Sequence, residues 1–425
     1  MKAPSRSKKS SLVRKTPFQP SDLYKIRSAV TSSGEHRPLL TSAISGLPVL
    51  RVNQYMLVSR RDRCQVNTMK SELRALSILL SWADTQGIDL NAEVDRGIGL
   101  DQAQIVSLVD ALKLDYQKKK SDGDEGGSKV VALQIAVVTA EVWASRIAVA
   151  RDFIIWGLSN VLARCEPGSL RYEHVRERRA DIATEINSRI PPTHGSGKRY
   201  GLTPKLKQRL FDVTRPGAIE NPFQPAWQPR NALMIDLLEA IGVRRGELLK
   251  LRTTSFSPGP KPTINILRKP DDLDDPRANQ PQVKTQERRL PLDVALAARL
   301  QIYITEERRL LPNAKKTPFL FLSRSGKPMS LKNFNKMFDQ ISKWHPEFIG
   351  LLSPHILRHT FNDDFSETLE RSGCSQEKAK EQRNYVNGWT PNSSQGTRYN
   401  RRFVEKKSQE TLLEHQRRLF CRDEN

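Results

Sequence analysis

The spacing of apolar positions divides the chain into helical blocks separated by polar, glycine- and proline-rich breaks. "NTMKSELRALSILLSWADTQGIDL" (67–90) sets Leu73, Leu76, Leu79, Leu80 and Trp82 at near-helical spacing and stops at Gln86-Gly87. "TAEVWASRIAVARDFIIWGL" (139–158) does much the same with Trp143, Ile147, Phe153, Ile154 and Trp156. In both blocks the aromatics follow one helix face and the exposed positions carry the arginines, so the rings read as core rather than as platforms for stacked bases. Between the blocks, "KKKSDGDEGGSK" (118–129) is a polar, glycine-rich loop, and "SRIPPTHGSGKRYG" (188–201) reads as a linker because paired prolines and glycines break any helix.

Beyond that linker the character changes. An apolar helix, "NALMIDLLEAIGVRRGELLKL" (231–251), leads into a strand, "TINIL" (263–267). A Pro/Asp-rich excursion follows, and "QVKTQERRLPL" (282–292) reads as a hairpin arm. Helical patterns dominate again from about residue 330. The fold class expected is mostly α with a small antiparallel β-sheet (α+β). The divisions are an arm over 1–44, a helical region over 45–190, and a mixed domain with a C-terminal tail over 191–425.

Charge narrows the class of partner. The 425 residues carry 70 Lys plus Arg against 47 Asp plus Glu, a formal net charge of +23. Neutralising phosphates releases condensed counterions, so such an excess points to a polyanion. The sequence has no apolar run of the roughly 18 residues a membrane span needs, and its N-terminus lacks the apolar stretch of a secretory signal. Nucleic acid therefore fits better than an acidic membrane. The first 40 residues hold nine Lys or Arg and two acids among many Ser and Pro, which reads as a mostly disordered basic arm, either a solubilising tail or a contact to a nucleic-acid backbone.

Cys64, Cys165, Cys374 and Cys421 are scattered without a C-x2-C pair, which favours a reducing, cytosolic setting over a disulfide framework or structural zinc. No G-x4-G-K-[ST] loop is present to hold a nucleotide for hydrolysis.

Candidate chemistry begins with "SPHILRHTF", which places His355, Arg358 and His359 in a helix-like frame. Alone, that spacing describes a solvated helix face. Upstream, "IGVRRGELLKL" puts Arg244 near a glycine at a helix break, with Glu247 one turn on and able to orient a guanidinium. Lys284 lies in "QVKTQERRLPL", just before a tight turn. Downstream, "NGWTPNSSQGTRYNRRF" supplies Trp389 after Gly388 and Tyr399 between arginines.

In this order the elements resemble the tyrosine recombinase (phage integrase) family over roughly residues 200–405: Gly-aliphatic-Arg-x-x-Glu-Leu, a hairpin Lys, His-x-x-Arg-His, a His or Trp after Gly, and the tyrosine. The family's Gly-aliphatic-Arg order selects Arg244 over Arg245. The resemblance implies a helical core-binding DNA domain over 45–190, a catalytic domain after it, and a C-shaped clamp around DNA. It also implies a homo-tetramer on paired double-stranded recombination sites, with companion recombinases of the same element as possible partners. Arg244 and Arg358 would grip the scissile phosphate, because a guanidinium stays charged and presents a directed fork. Tyr399 would be the nucleophile, His355 the proton handler, Lys284 the acid for the departing 5′ oxygen, and Trp389 an indole donor to the phosphate. His359 and Glu247 would brace Arg358 and Arg244.

Neither cofactor nor metal is implied, since bond energy is conserved in the protein–DNA ester. The setting implied is a cytoplasmic integrase or transposase of a mobile element. A type IB topoisomerase shares closely similar chemistry, and a non-catalytic DNA-binding accessory protein and a telomere-resolving hairpin former are further alternatives. Two spacings depart from the family pattern: Arg358 to Trp389 is longer, and Trp389 to Tyr399 slightly wider. They leave Tyr385 as a rival nucleophile, disfavoured because it precedes Gly-Trp and fits an apolar packing position. The tail carries Phe403, Val404, Leu412, Leu413, Leu419 and Phe420, suited either to docking on a neighbouring protomer or to packing on its own domain.

Overall fold

The computed structural model describes residues 19–32, 35–116, 136–193, 200–270, 272–393, 396 and 401–420, with side chains over 403–417 in the last segment. The chain forms two compact units, residues 1–197 and 198–425.

The first unit opens with α1 (Pro20–Leu23) and an antiparallel hairpin, β1 (Tyr24–Val30) with β2 (His36–Ser42), in register from Tyr24 opposite Ser42 to Val30 opposite His36. This corrects the expectation of a disordered arm over 1–44. Alternating burial along β2 places Leu40 fully inside, and the Asn53 side chain both donates to its carbonyl and accepts from its N–H. Basic composition misled here, because the charges sit on the solvent-facing positions of a half-buried hairpin. Residues 1–18 of that arm lie outside the described residues.

Helices follow as α2 (Leu50–Tyr55), α3 (Val66–Gln86), α4 (Leu90–Arg96), α5 (Gln102–Lys113), α6 (Ala140–Leu162) and α7 (Leu170–Ser188). The two blocks expected from apolar spacing are α3 and α6. Gly87 ends α3 at φ +70, a left-handed cap that glycine adopts without Cβ strain, and the Thr139 hydroxyl caps the start of α6. Leu73, Leu76, Leu79 and Trp82 pack with Ile147, Phe153 and Ile154 in one core, and Trp143 and Trp156 lie half-buried at its edge. The indole N–H groups of Trp82 and Trp143 donate to Ser107 Oγ at 3.1 Å and to the Val109 carbonyl at 2.9 Å, so these rings are structural. The glycine-rich loop at 118–129 lies outside the described residues.

The second unit contains α8 (Pro204–Thr214), α9 (Gln228–Ile241), α10 (Arg245–Lys250) and a three-stranded antiparallel sheet of β3 (Phe256–Ser257), β4 (Thr263–Ile266) and β5 (Arg288–Pro291), in that order. Then come α11 (Val294–Ile302), α12 (Leu331–Trp344), α13 (Pro354–Arg371), α14 (Gln376–Asn387) and α15 (Arg401–Phe420). The single helix expected over 231–251 is two. Gly242 leaves α9 at φ +59 with the Phe361 ring against its Cα, and Arg244 is extended before α10 begins. The long interval between Arg358 and Trp389 is filled by α14.

The hairpin arm expected over 282–292 is regular only at β5. The rest of the connection from β4 is irregular and held by ion pairs: Arg252 with Asp272 at 2.8 Å and Asp274 at 2.9 Å, and Arg277 with Asp275 at 2.7 Å. Helix α9 runs through the middle of this unit's core, packing on α13, α8 and α11. The last helix, α15, packs on α13, with Val404, Leu412 and Leu413 about half exposed. Among the described residues no helix is long and apolar enough to cross a membrane.

Candidate active site

Three of the sequence-derived residues meet in one cleft. A cavity of about 590 Å³ is lined by Arg244, Arg245, Asn335, Asp339, Leu352, Ser353, His355 and Arg358, among others. Arg244 enters it from the break between α9 and α10, while His355 and Arg358 enter from the first turns of α13. That helix starts cleanly because the Ser353 hydroxyl accepts the Ile356 N–H and Pro354 occupies its first turn.

The two guanidiniums share one backbone anchor. Arg244 Nη1 donates to the Asn387 carbonyl at 3.4 Å, and Arg358 Nη2 donates to the same oxygen at 3.1 Å. Arg358 is 1% exposed and also donates to the Gly242 carbonyl, so its fork is fixed at both ends. Arg244 keeps 26% of its side chain exposed toward solvent. Asn387 is itself immobilised: its amide donates to Asn362 Oδ1 at 2.7 Å and to the Arg383 carbonyl at 3.0 Å. It is also the last residue of α14, before Gly388 at φ +64. Trp389 follows, 6% exposed, with the Arg358 guanidinium 5.6 Å from its ring centroid.

His355 and His359 are one helical turn apart, with their Nε2 atoms 3.3 Å from each other and their rings edge to face. A hydrogen bond of this kind requires one ring to donate and the other to accept. The buried His359 therefore bears on the tautomer of the exposed His355.

Glu247 is fully buried. Its carboxylate accepts the Arg244 backbone N–H at 2.9 Å, the Thr285 hydroxyl and Arg288 Nη2 at 2.8 Å, and lies 3.5 Å from Arg244 Nη1. Burial alone would push its pKa up, but the charges of Arg288, Arg358 and Arg244 hold it down at about 2. One carboxylate thus stands among three guanidiniums, and the surplus positive charge faces the cleft.

Lys284 is exposed on the β4–β5 connection, next to Thr285. That connection is pinned to the turn before Trp389 by the Gln286 N–H, which donates to the Gly388 carbonyl at 2.9 Å. Tyr399 lies outside the described residues. Tyr385 does not occupy an apolar packing position as expected: it is 57% exposed and its hydroxyl donates to the Arg289 carbonyl at 3.0 Å.

Arg288, Asn387 and Asn362 were not singled out from the sequence. Arg288 had a signal: in strand alternation it shares the buried face with Leu290, and an arginine there must be paired. For the two asparagines there was none, because their roles depend on contacts between distant helices.

Residues 218–393 match the model of the phage integrase family. The second unit carries a phage integrase domain. That domain is of the tyrosine-type site-specific recombinase kind, and the matched span holds Arg244, Glu247, Lys284, His355, Arg358, His359 and Trp389. Among solved structures, the chain is similar to the XerH site-specific recombinase in a post-cleavage complex with a palindromic difH substrate. That likeness has 16% identity and a TM-score of 0.37, and covers 64% of this chain and 84% of the other. A pre-cleavage complex of XerH with difH gives 17% identity and a TM-score of 0.35 over the same shares. No curated protein matches the chain.

Proposed function

We propose that this chain is a recombinase that cuts and rejoins double-stranded DNA through a 3′-phosphotyrosyl intermediate, as the integrase or transposase of a mobile genetic element. The observation that carries the chemical reading is the cleft in which Arg244, His355 and Arg358 converge. An anion held there meets two oriented guanidiniums, whose positive charge is what the nonbridging oxygens of a five-coordinate phosphorus need. The XerH structures, solved with difH DNA, are in keeping with a DNA substrate.

In this reading the Tyr399 hydroxyl attacks the scissile phosphorus. A free phenol has a pKa near 10, so its proton must be drawn off as the bond forms. His355 takes that role, with His359 setting its tautomer. The P–O5′ bond breaks, and Lys284 gives its ammonium proton to the departing oxygen, leaving a free 5′ hydroxyl. Trp389 donates its indole N–H to the phosphate. Attack by a partner strand's 5′ hydroxyl on the phosphotyrosine restores the backbone. The first unit supplies further DNA contacts, and a homo-tetramer assembles on two paired sites.

The test begins with fragments of the source genomic DNA. Wild-type protein should capture some of them covalently, and sequencing the captured ends gives the site. On a nicked duplex carrying that site, Tyr399→Phe should abolish the adduct and leave DNA binding intact. An adduct that persists in Tyr399→Phe moves the nucleophile elsewhere.

A further inference from the structure

Arg288 joins the Lys284 segment, Glu247 and the end of α14 without lining the cleft. It stands at the first position of β5, where the connection bearing Lys284 rejoins the sheet, and is 6% exposed. Its Nη2 is paired with Glu247 Oε2 at 2.8 Å, and its Nε donates to the Val386 carbonyl at 2.7 Å. Its Nη1 lies 3.4 Å from each of Glu247 Oε1, Thr285 Oγ1 and the Gln286 carbonyl.

Each of these partners leads to a different functional group. Glu247 holds the backbone of Arg244. Val386 precedes Asn387, whose carbonyl anchors both cleft arginines. Thr285 and Gln286 are the two residues after Lys284. The turn at Gly388 closes over the same guanidinium: a Cβ there would stand 2.6 Å from Arg288 Nη1, 2.9 Å from Thr285 Cβ and 3.0 Å from the Gln286 carbonyl.

We infer that Arg288 is a positioning residue that holds the Lys284 segment in register with the two-arginine cleft, so that the acid for the leaving oxygen and the clamp on the phosphate keep one fixed separation. The inference rests on the reading of Lys284 as that acid. A buried, multidentate guanidinium suits the task, because moving the Lys284 segment away from the cleft would leave donors and a carboxylate unpaired in the interior. In the reaction it supports, the Tyr399 oxygen bonds to phosphorus, and the P–O5′ electrons leave on O5′. That oxygen takes the Lys284 proton. Nothing is oxidised or reduced.

The experiment compares two nicked duplexes carrying the recovered site, one with the natural scissile phosphate and one with sulfur at the 5′ bridging position. A thiolate leaves without a proton, since a thiol ionises near pH 8.5 where water needs about 15.7. Lys284→Ala should lose roughly 10²-fold or more in capture rate on the oxygen substrate and regain most of it with sulfur. Arg288→Met should behave in the same way, and Arg288→Lys should fall between it and wild type.

Equal loss of Arg288→Met on both substrates would assign Arg288 to general packing and overturn the inference, as would undiminished activity on oxygen. Should Arg288→Met show no melting transition, Arg288→Lys, which keeps a charge against Glu247 and loses the fork, decides by the same comparison. Failure of sulfur to rescue Lys284→Ala strikes the assignment of Lys284 instead. Absence of any wild-type adduct strikes the recombination reading itself.

Discussion

Arg244 and Arg358 donate to one and the same backbone oxygen, the Asn387 carbonyl, at 3.4 and 3.1 Å. One arginine comes from a helix break, the other from the second turn of α13, and the shared acceptor is the end of a third helix. The spacing of the two guanidiniums is therefore set by the backbone, not by flexible side chains.

Lysine at either position keeps the charge and loses the fork. Arg358→Lys should cost about 10²–10³-fold in covalent capture, by analogy with removing one donor to a developing anion. It should leave the affinity for uncleaved DNA within a few-fold of wild type. A gel assay of adduct formation beside a binding titration checks both. Undiminished capture would remove Arg358 from the clamp.

Glu247→Gln should destabilise the fold by about 3–5 kcal/mol at neutral pH, because it leaves Arg288 buried without its counter-charge. The folded-state pKa of Glu247 is lowered from 4.5 to about 2. Its ionised form therefore stabilises the protein above about pH 4.5, and that contribution is lost as pH falls toward 2. Urea unfolding of wild type and variant should show a gap that is wide at pH 7 and narrower at pH 3. A gap independent of pH would contradict the buried ion pair.

Glu239 on α9 has the opposite behaviour. It lies 3.6 Å from Lys207, which is paired with Asp364 at 2.5 Å. Burial, and then the Asp364 charge, raise the Glu239 pKa from 4.5 to about 8. The folded protein holds this proton where the unfolded chain has released it, so stability falls as pH rises from about 4.5 to 8. Glu239→Gln should thus gain on the order of a few kcal/mol over wild type at pH 8.5 and little at pH 5. Thermal melts at the two pH values decide it.

Tyr385→Phe removes a hydroxyl that reaches the Arg289 carbonyl from an exposed position. Covalent capture should continue at close to the wild-type rate, with at most about 1 kcal/mol lost in stability. Loss of the adduct in this variant would make Tyr385 the nucleophile.

Much of this architecture could be read from the chain. The apolar spacing that marked 67–90 and 139–158 became α3 and α6, because a helix buries one stripe and the sequence records it. The break at Gly242 was visible as a glycine before two arginines, although its effect was underestimated: the left-handed turn and the Phe361 ring divide the expected helix in two. The hairpin over 24–42 was hidden by its charge, since composition reports solvent-facing positions as readily as disorder.

The sequence by itself determined which chemical groups are present and their order along the chain, and with them the family of the domain over 218–393. It could not determine which groups meet. Glu247 was expected to brace Arg244, and it does hold the Arg244 backbone, but its close ion pair is with Arg288. His359 was expected to brace Arg358, and the contact of its Nε2 with that of His355 at 3.3 Å was not foreseen. Those choices belong to the tertiary structure, because a buried charge takes whichever partner the packing of separate helices and strands brings within hydrogen-bond reach, and sequence separation says nothing about that distance.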